Sequence, residues 1–286
     1  MLHFRQKAME IIQGGYDLHI HSTPSHFERI QDDLQVIRDA AEFGMAGILL
    51  KNHYEPTSGR AALVNRISEC EAKAYGGIVL NWPAGGINSY AVESALAMGA
   101  VMVWLPTRDA QNCLGFGNMD GDFFSRAGIT VLGEQGRLLP EVYEVIEVIR
   151  RYDAVLATGH ISTKEAVEVC KAGREMGIKM VFTHPEWPRT KASAEIQKNM
   201  ADIGVVVEKN WMNIADNLCK ADEMLQNIRA VGPEHVFIAT DRGQKNRETP
   251  VEGMLLFIQT LLEHGFTEKE IKIMLCQVPA WLVAGK

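Results

Sequence analysis

The chain has 286 residues, of which 47% are hydrophobic and 23% charged, proportions typical of a globular protein with a large core. Its net charge of −7 argues against a general nucleic-acid binder, which needs a basic surface to neutralise phosphates. The five cysteines form no CxxC pair, and no apolar run approaches the length of a membrane span. We therefore expect a cytoplasmic protein that acts on a small molecule, with a homo-oligomer left open.

Eight short apolar or β-branched runs recur along the chain, separated by stretches with helical periodicity. The predicted strands are residues 16–21, 46–51, 77–81, 100–105, 154–159, 179–183, 204–208 and 236–240. This alternation indicates parallel α/β architecture, and the count of eight favours a closed (β/α)8 TIM barrel over an open, doubly wound sheet. We predict one domain over residues 1–286.

The connection between the fourth and fifth predicted strands is unusually long. It contains the glycine-rich "NCLGFGNMDGDFF", which lacks the strand–turn–helix setting of a phosphate-binding loop and is interpreted as a flexible loop. The following "GITVLGEQGRLLP" is typical of a β-hairpin that leads into a helix. Residues 106–135 are a candidate lid because of their length and glycine content.

Histidines fall at the predicted carboxyl ends of the strands, where barrels of this type carry their active sites. His19 and His21 alternate on the first strand and therefore point to one face. The other candidates are Lys51 and His53 after the second strand, His160 after the fifth, His184 after the sixth and Asp241 after the eighth. A lone histidine is usually an ordinary surface or core residue, but this set predicts a site for zinc, manganese, iron or nickel.

Three of these motifs resemble the amidohydrolase superfamily of metal-dependent hydrolases: "DLHIH" on the first strand, the single histidines that end the fifth and sixth strands, and the aspartate that ends the eighth. The closing "VPAWLVAG" is similar to the "NPA-x-L-x-G" tail found in that superfamily and in TatD-type barrels. The HxH opening and the histidine after the second strand also resemble the PHP phosphoesterases.

The amidohydrolase resemblance implies one or two divalent metal ions, with zinc as the first choice. His19, His21 and Asp241 would hold one ion, and His160 and His184 would hold the second. Asp241 would also take the proton from a metal-bound water.

The chain departs from the superfamily at its fourth strand. Many two-metal members bridge their ions there with a carbamylated lysine or a glutamate, whereas this strand ends "VWLPTRD". Lys51 could bridge the ions as a carbamate, or as a cation it would bind an anionic substrate or pair with Asp241. Glu134 is the other candidate bridge, and His53 would be a further ligand or a catalytic contact to the substrate.

The predicted substrate contacts are Asn81, Arg108 and Arg242, which also end or follow strands. The chain has no GxSxG elbow, Walker loop or strand-linked GxGxxG motif, so we expect a metal-activated water as the nucleophile and Asp241 as its base. The expected reaction cleaves a C–N or C–O bond of a cyclic amide, lactone or ester. The alternatives are a PHP-type phosphoesterase, a decarboxylase or lyase on the same barrel, or a barrel that binds a small molecule without catalysis.

Overall fold

The computed structural model describes residues 2–117, 119, 121–122 and 124–285. Its strands are Tyr16–Ile20 (β1), Gly47–Leu50 (β2), Lys73–Val79 (β3), Ala100–Trp104 (β4), Val155–Ala157 (β5), Lys179–Phe182 (β6), Val206–Asn210 (β7) and Val236–Ala239 (β8). They pair in parallel in chain order, β1 to β8. The predicted (β/α)8 barrel is therefore confirmed, although β3 starts earlier and β7 continues to Asn210.

Helices cover the outside of the sheet, with at least one between every two consecutive strands. They are Leu2–Ile11 (α1), Asp33–Glu42 (α2), Ser58–Ile67 (α3), Ser89–Ala97 (α4), Gln111–Gly115 (α5), Pro140–Arg151 (α6), Thr163–Glu175 (α7), Ala194–Asp202 (α8), Trp211–Ala215 (α9), Ala221–Val231 (α10), Pro250–Glu263 (α11), Glu268–Lys272 (α12) and Val278–Leu282 (α13). Within the described part of the chain, no helix has the length and apolarity needed to cross a membrane.

The helix boundaries follow ordinary capping chemistry. Asp32, Ser162 and Thr267 each accept a backbone N–H in a capping box at the start of α2, α7 and α12. The faces that these helices turn inward are apolar, and two buried clusters join them to the outside of the sheet. Burial of these faces is the main force that holds the helices around the barrel.

The interior of the barrel is filled with side chains. Its cluster includes Leu18, Leu49, Val101 and Phe237 from four of the strands. The last helix, α13, adds Val278, Leu282 and the following Val283 to the same cluster, so the tail of the chain packs against the barrel. Trp281 of that helix lies 5.5 Å from the ammonium of Lys179, the first residue of β6, which places the tail at the amino ends of the strands.

The connection after β4 contains a short antiparallel pairing within the predicted hairpin. In residues 128–140 Leu132 forms an antiparallel bridge with Leu138, the N–H of Gly133 donates to the carbonyl of Arg137 at 2.8 Å, and the N–H of Leu139 donates to the carbonyl of Val131 at 2.9 Å. No strand is assigned to this pairing, and the segment leads into α6. The predicted lid includes Asn118, Asp120 and Phe123, which lie outside the described residues, and the lid stays a prediction.

Candidate metal centre

The two histidines of β1 meet the aspartate that follows β8. The rings of His19 and His21 lie 5.5 Å apart. Oδ1 of Asp241 is 3.3 Å from Nε2 of His19 and 3.2 Å from Nε2 of His21, and all three residues are buried. Asp241 has a φ of 52°, in the left-handed region, which few residues other than glycine occupy and in which aspartate is among the more common of those, so the backbone conformation helps to fix this carboxylate.

The second ring nitrogen of each histidine is held by an acceptor. Nδ1 of His19 lies 2.5 Å from Oε1 of Glu208, and Nδ1 of His21 lies 2.8 Å from the backbone carbonyl of Lys51. Because a carbonyl and a carboxylate only accept, both imidazoles carry a proton on Nδ1. Both Nε2 atoms then carry a lone pair and face Asp241, as in histidines that bind metals, and the Nε2 of His19 also faces the Lys51 amine at 2.9 Å.

This donor set fits a divalent ion. Two imidazole nitrogens and a carboxylate oxygen are ligands that zinc, manganese, iron and nickel accept. His19, His21 and Asp241 form a group whose ligand atoms all lie within 4.8 Å of one another, with the Nδ1 contacts already supplied by the protein. The structure therefore brings together the three residues that the resemblance assigns to the first ion.

Glu208, on β7, is a residue of this site that the sequence analysis missed. It is buried, and besides its contact with His19 it accepts a hydrogen bond of 3.1 Å from the side-chain amide of Asn210. Burial acts to raise its pKa, but the neighbouring His19 outweighs this and keeps the pKa below its usual value. The sequence did contain a signal for Glu208, because it is the last residue of a predicted strand and therefore lies at the same edge of the barrel as the histidines.

Lys51 lies inside the same group of residues. Its Nζ is 2.9 Å from Nε2 of His19 and 5.2 Å from the ring centroid of Trp104. Burial lowers its pKa to about 8, against the attraction of Asp241 and Glu208. The amine therefore faces the same ring nitrogen that would bind an ion.

His160 and His184 form a second pair beside the first. Their ring centroids lie 5.0 Å apart, and both rings contact Trp187, at 4.7 and 5.2 Å. The ring of His184 is 6.0 Å from that of His19. Burial lowers the pKa of His184 to about 4 and that of His160 well below its usual value, so both rings are neutral. Among the described residues, no third histidine, cysteine or carboxylate joins this pair in a group like the first.

His53 lies against His21, with ring centroids 5.0 Å apart, and its Nδ1 is 2.9 Å from the hydroxyl of Thr107. Asn81, a predicted substrate contact, holds this arrangement together. Its amide donates to the Thr107 hydroxyl at 2.8 Å and to the His53 carbonyl at 2.9 Å, and its oxygen accepts the Thr107 N–H at 2.8 Å. The polar atoms of Asn81 are bonded within the protein and Asn81 does not line the cavity, and its role as a substrate contact stays a prediction.

The other predicted site residues differ in their position relative to the cavity above the histidines. Arg108 lines the cavity above the histidines. Arg242 is fully buried and forms ion pairs with Asp216, at 3.1 Å, and Glu248, at 2.8 Å, and it does not line this cavity. Its role as a substrate contact stays a prediction. Glu134 is exposed on the turn before α6 and does not line the cavity, so it is no candidate bridge between ions.

A cavity of about 250 Å³ opens over the site. Its lining includes Arg29, from the loop between β1 and α2, which the sequence analysis did not single out. The lining residues are His19, His21, Arg29, Lys51, His53, Arg108, Met119, His160, His184, Trp187, Met212, Asp216, Leu218, Asp241 and Gln244. The lining thus combines histidines, carboxylates, cationic groups and the amide of Gln244 with the apolar side chains of Met119, Trp187, Met212 and Leu218.

Comparison with known proteins gives a family and a fold. The model of a family of unknown function, DUF6282, matches residues 14–208. No curated protein matches the chain. Among solved structures, an amidohydrolase from Pseudomonas aeruginosa has a TM-score of 0.66 at 14% identity, with 98% of each chain covered.

Two further structures have the same architecture. The probable dipeptidase PvdM from Pseudomonas aeruginosa has a TM-score of 0.66 at 12% identity, covering 99% of this chain and 98% of the other. A probable 2-pyrone-4,6-dicarboxylic acid hydrolase from Acinetobacter baumannii has a TM-score of 0.62 at 14% identity, covering 95% and 99%. At this identity the likeness concerns the fold, and it confirms the barrel expected from the amidohydrolase resemblance. The likeness to PHP phosphoesterases stays a prediction.

Proposed function

The chain belongs to DUF6282, a family of unknown function, and from its own site residues we propose that it is a metal-dependent hydrolase of the amidohydrolase type. The observation that carries the proposal is the convergence of His19, His21 and Asp241, with both Nε2 atoms within 3.3 Å of one carboxylate oxygen. The names of the structures that share the fold, an amidohydrolase, a probable dipeptidase and a probable 2-pyrone-4,6-dicarboxylic acid hydrolase, support the same class.

The residues around the cavity supply the remaining functions. When bound, a divalent ion would activate a water molecule at neutral pH and polarise the oxygen of the electrophile. In this proposal Asp241, whose Oδ1 lies 3.3 and 3.2 Å from the Nε2 atoms of His19 and His21, takes the proton of the attacking water and returns it to the leaving group. Glu208 keeps His19 in the tautomer with a free Nε2. His53 faces the substrate, and Trp187 helps to exclude bulk water.

The proposal extends to a second ion at His160 and His184. These two imidazoles would need a further ligand, and Lys51 is the side chain that could supply it as a carbamate. An unmodified Lys51 would instead compete with a cation for His19, since its Nζ is 2.9 Å from that ring. We assign zinc as the metal and a small cyclic amide, lactone or ester as the substrate, with cleavage of its C–N or C–O bond.

Metal content and hydrolysis test this proposal together. The purified protein should contain zinc or another transition metal, lose its activity on chelation, and regain it with zinc, manganese, iron or nickel. The assay would use a panel of lactones, cyclic amides and esters. A protein that holds no transition metal, and that none of these ions activates, would exclude a metal-dependent hydrolase.

An Asp241→Asn variant tests the assigned base. Loss of a general base should lower kcat by at least about 100-fold while the protein stays folded. Asp222→Asn is the matched control, because the side chain of Asp222 is 76% exposed and does not line the cavity. Full activity of Asp241→Asn would assign the proton transfer to another group, and ligand affinity without any turnover in the wild type would indicate a binding protein.

A further inference from the structure

Arg29 lies in the cavity without a role in the reaction described above. Its side chain lines the same cavity as His19 and Asp241. Its Nε is buried and has no hydrogen-bond partner among the described residues, which is costly for a charged donor. Burial lowers the pKa of this guanidinium to about 10, with Asp241 opposing and Arg108 adding to the effect. A ligand with an acceptor would satisfy this group.

Arg108 brings a second guanidinium to the same place. The Cζ atoms of Arg29 and Arg108 lie 5.3 and 4.2 Å from the ring centroid of Phe27. Arg108 also pairs with Asp122 at 2.8 Å, so its charge is partly balanced. Two guanidinium groups on one ring repel each other, and an anion that contacts both would remove that repulsion.

Gln244 adds an acceptor next to these donors. Its backbone forms an antiparallel bridge with Arg29. Its side-chain NH₂ donates to the carbonyl of Asp241 at 2.8 Å, which fixes the orientation of the amide. The remaining oxygen, Oε1, is buried without a partner among the described residues, and Gln244 lines the cavity. A ligand that satisfies both unpartnered groups must carry an acceptor and a donor.

We propose that the substrate of this site is a small oxyanion, a carboxylate or phosphate compound whose anionic group binds Arg29 and Arg108 and whose neighbouring N–H or O–H donates to Gln244. This assignment rests on the proposed function, because it names the substrate class of the same cavity. The cavity of about 250 Å³ lies below the range of about 300–1,000 Å³ that drug-sized ligands occupy, so the compound is small. The charged end of the substrate is thereby held close to Asp241, which Gln244 contacts directly.

Anion binding to the full chain after chelation of metals tests the subsite, because without an ion the anion cannot bind through a metal. The probes are malonate, inorganic phosphate and the neutral malonamide, followed by calorimetry. We expect malonate or phosphate to bind and malonamide not to bind, and the preferred anion distinguishes a carboxylate from a phosphate substrate. Binding of malonamide as tightly as malonate would overturn the assignment.

Variants of Arg29 connect the binding to this residue. Arg29→Gln should weaken binding of the preferred anion by at least about 10-fold, the loss expected for a charged hydrogen bond, and Arg29→Lys should retain part of it. Arg66→Gln is the control, since Arg66 is an exposed residue of α3 away from the cavity lining. Unchanged affinity in Arg29→Gln would refute the subsite.

Zinc content of the same variants separates this inference from the proposed function. Arg29→Gln should take up zinc like the wild type, because Arg29 is not among the grouped ligands. If the wild type binds zinc and hydrolyses uncharged esters while its anion binding is independent of Arg29, the subsite fails and the hydrolase stands. If Arg29-dependent anion binding occurs in a protein that never binds metal, the hydrolase fails and the subsite stands.

Discussion

His19 makes a different kind of contact with each ring nitrogen, and the two contacts define its chemistry. Nδ1 faces the buried carboxylate of Glu208 at 2.5 Å, while Nε2 faces Lys51 at 2.9 Å and Asp241 at 3.3 Å. A hydrogen bond from Nδ1–H to a carboxylate fixes the ring orientation and makes Nε2 a better electron donor. Glu208 is therefore a positioning residue, which orients His19 through this hydrogen bond.

Glu208→Gln tests this positioning role. The amide keeps the shape of the side chain but is a weaker acceptor, so we expect zinc affinity to fall by about 10–100-fold with little change in fold. Competition with a chromophoric chelator measures the affinity, and Glu263→Gln, at an exposed position of α11, is the control. Wild-type zinc affinity in Glu208→Gln would mean that the contact with His19 does not tune the ligand.

The sequence predicts which residues converge where strand position alone determines their surroundings. His19 lies near the carboxyl end of β1, and His21 and Asp241 follow the ends of β1 and β8, so their convergence follows from the topology of a parallel barrel. Arg242 also follows a strand end, but its side chain forms buried ion pairs with Asp216 and Glu248, and those contacts have no local signature in the sequence. Arg29 reaches the cavity from a loop whose path is set by tertiary contacts, and no periodicity could have indicated it.

The barrel closes between its first and last strands, and this closure builds the site. Beyond the paired strands, Asp241 N–H donates to the carbonyl of His19 at 2.8 Å. Nearer the amino end of β1, the carboxylate of Asp17 accepts two hydrogen bonds from Thr240, one from the backbone N–H at 3.1 Å and one from the side-chain hydroxyl at 2.5 Å. The Asp17 side chain thus replaces part of the usual backbone hydrogen bonding between β1 and β8, and it holds His19, His21 and Asp241 in register.

Gly243 allows the backbone after β8 to lie directly against the backbone of His21, after β1. It has a φ of 131°, and a Cβ at this position would lie 1.7 Å from the carbonyl oxygen of His21. Gly243→Ala should therefore destabilise the protein by about 2–4 kcal/mol and displace His21, because both the backbone conformation and the contact forbid a side chain. Chemical denaturation and zinc binding measure the two effects.

Gly99→Ala is the control for this variant. Gly99 also has a positive φ, 92°, but a Cβ at this position would have no atom within 4 Å, so only the conformational cost of about 1 kcal/mol is expected. Equal stability losses in the two variants would show that the junction tolerates a side chain and that the approach to His21 is not tight.

Among the secondary-structure elements, the sequence predicts the strands more reliably than the connections between them. The eight apolar runs correspond to eight strands because strands buried on both faces need continuous apolar residues, whatever surrounds them. The segment 128–140 has hairpin-type turn residues and forms an antiparallel pairing around Leu132 and Leu138 that is too short to count as a strand. Within it, Thr130 and Val131 also bond to Glu165 of α7, so long-range contacts as well as local turn residues determine its path.

In the whole molecule, the grouped ligands come from opposite ends of the chain. His19 and His21 belong to the first strand and its end, and Asp241 follows the last, so one ion would join the two strands at which the barrel closes. An ion that binds the folded chain and not the unfolded chain stabilises the fold by RT ln(1 + [L]/Kd), about 2.7 kcal/mol at a free concentration 100 times the Kd. Metal binding and barrel closure should therefore be measurable as one equilibrium.

Thermal unfolding with and without zinc tests this coupling. At saturating zinc we expect the Tm of the chelator-treated wild type to rise by about 5 °C or more, in line with the stabilisation above. The rise should be lost in Asp241→Ala, which removes the ligand from the last strand, and kept in His264→Asn, which alters a partly exposed histidine of the surface. Equal shifts in all three proteins would assign the effect to surface binding. No shift in the wild type would mean that an ion at this site does not join the ends of the barrel, because any ligand held by both strands must oppose their separation.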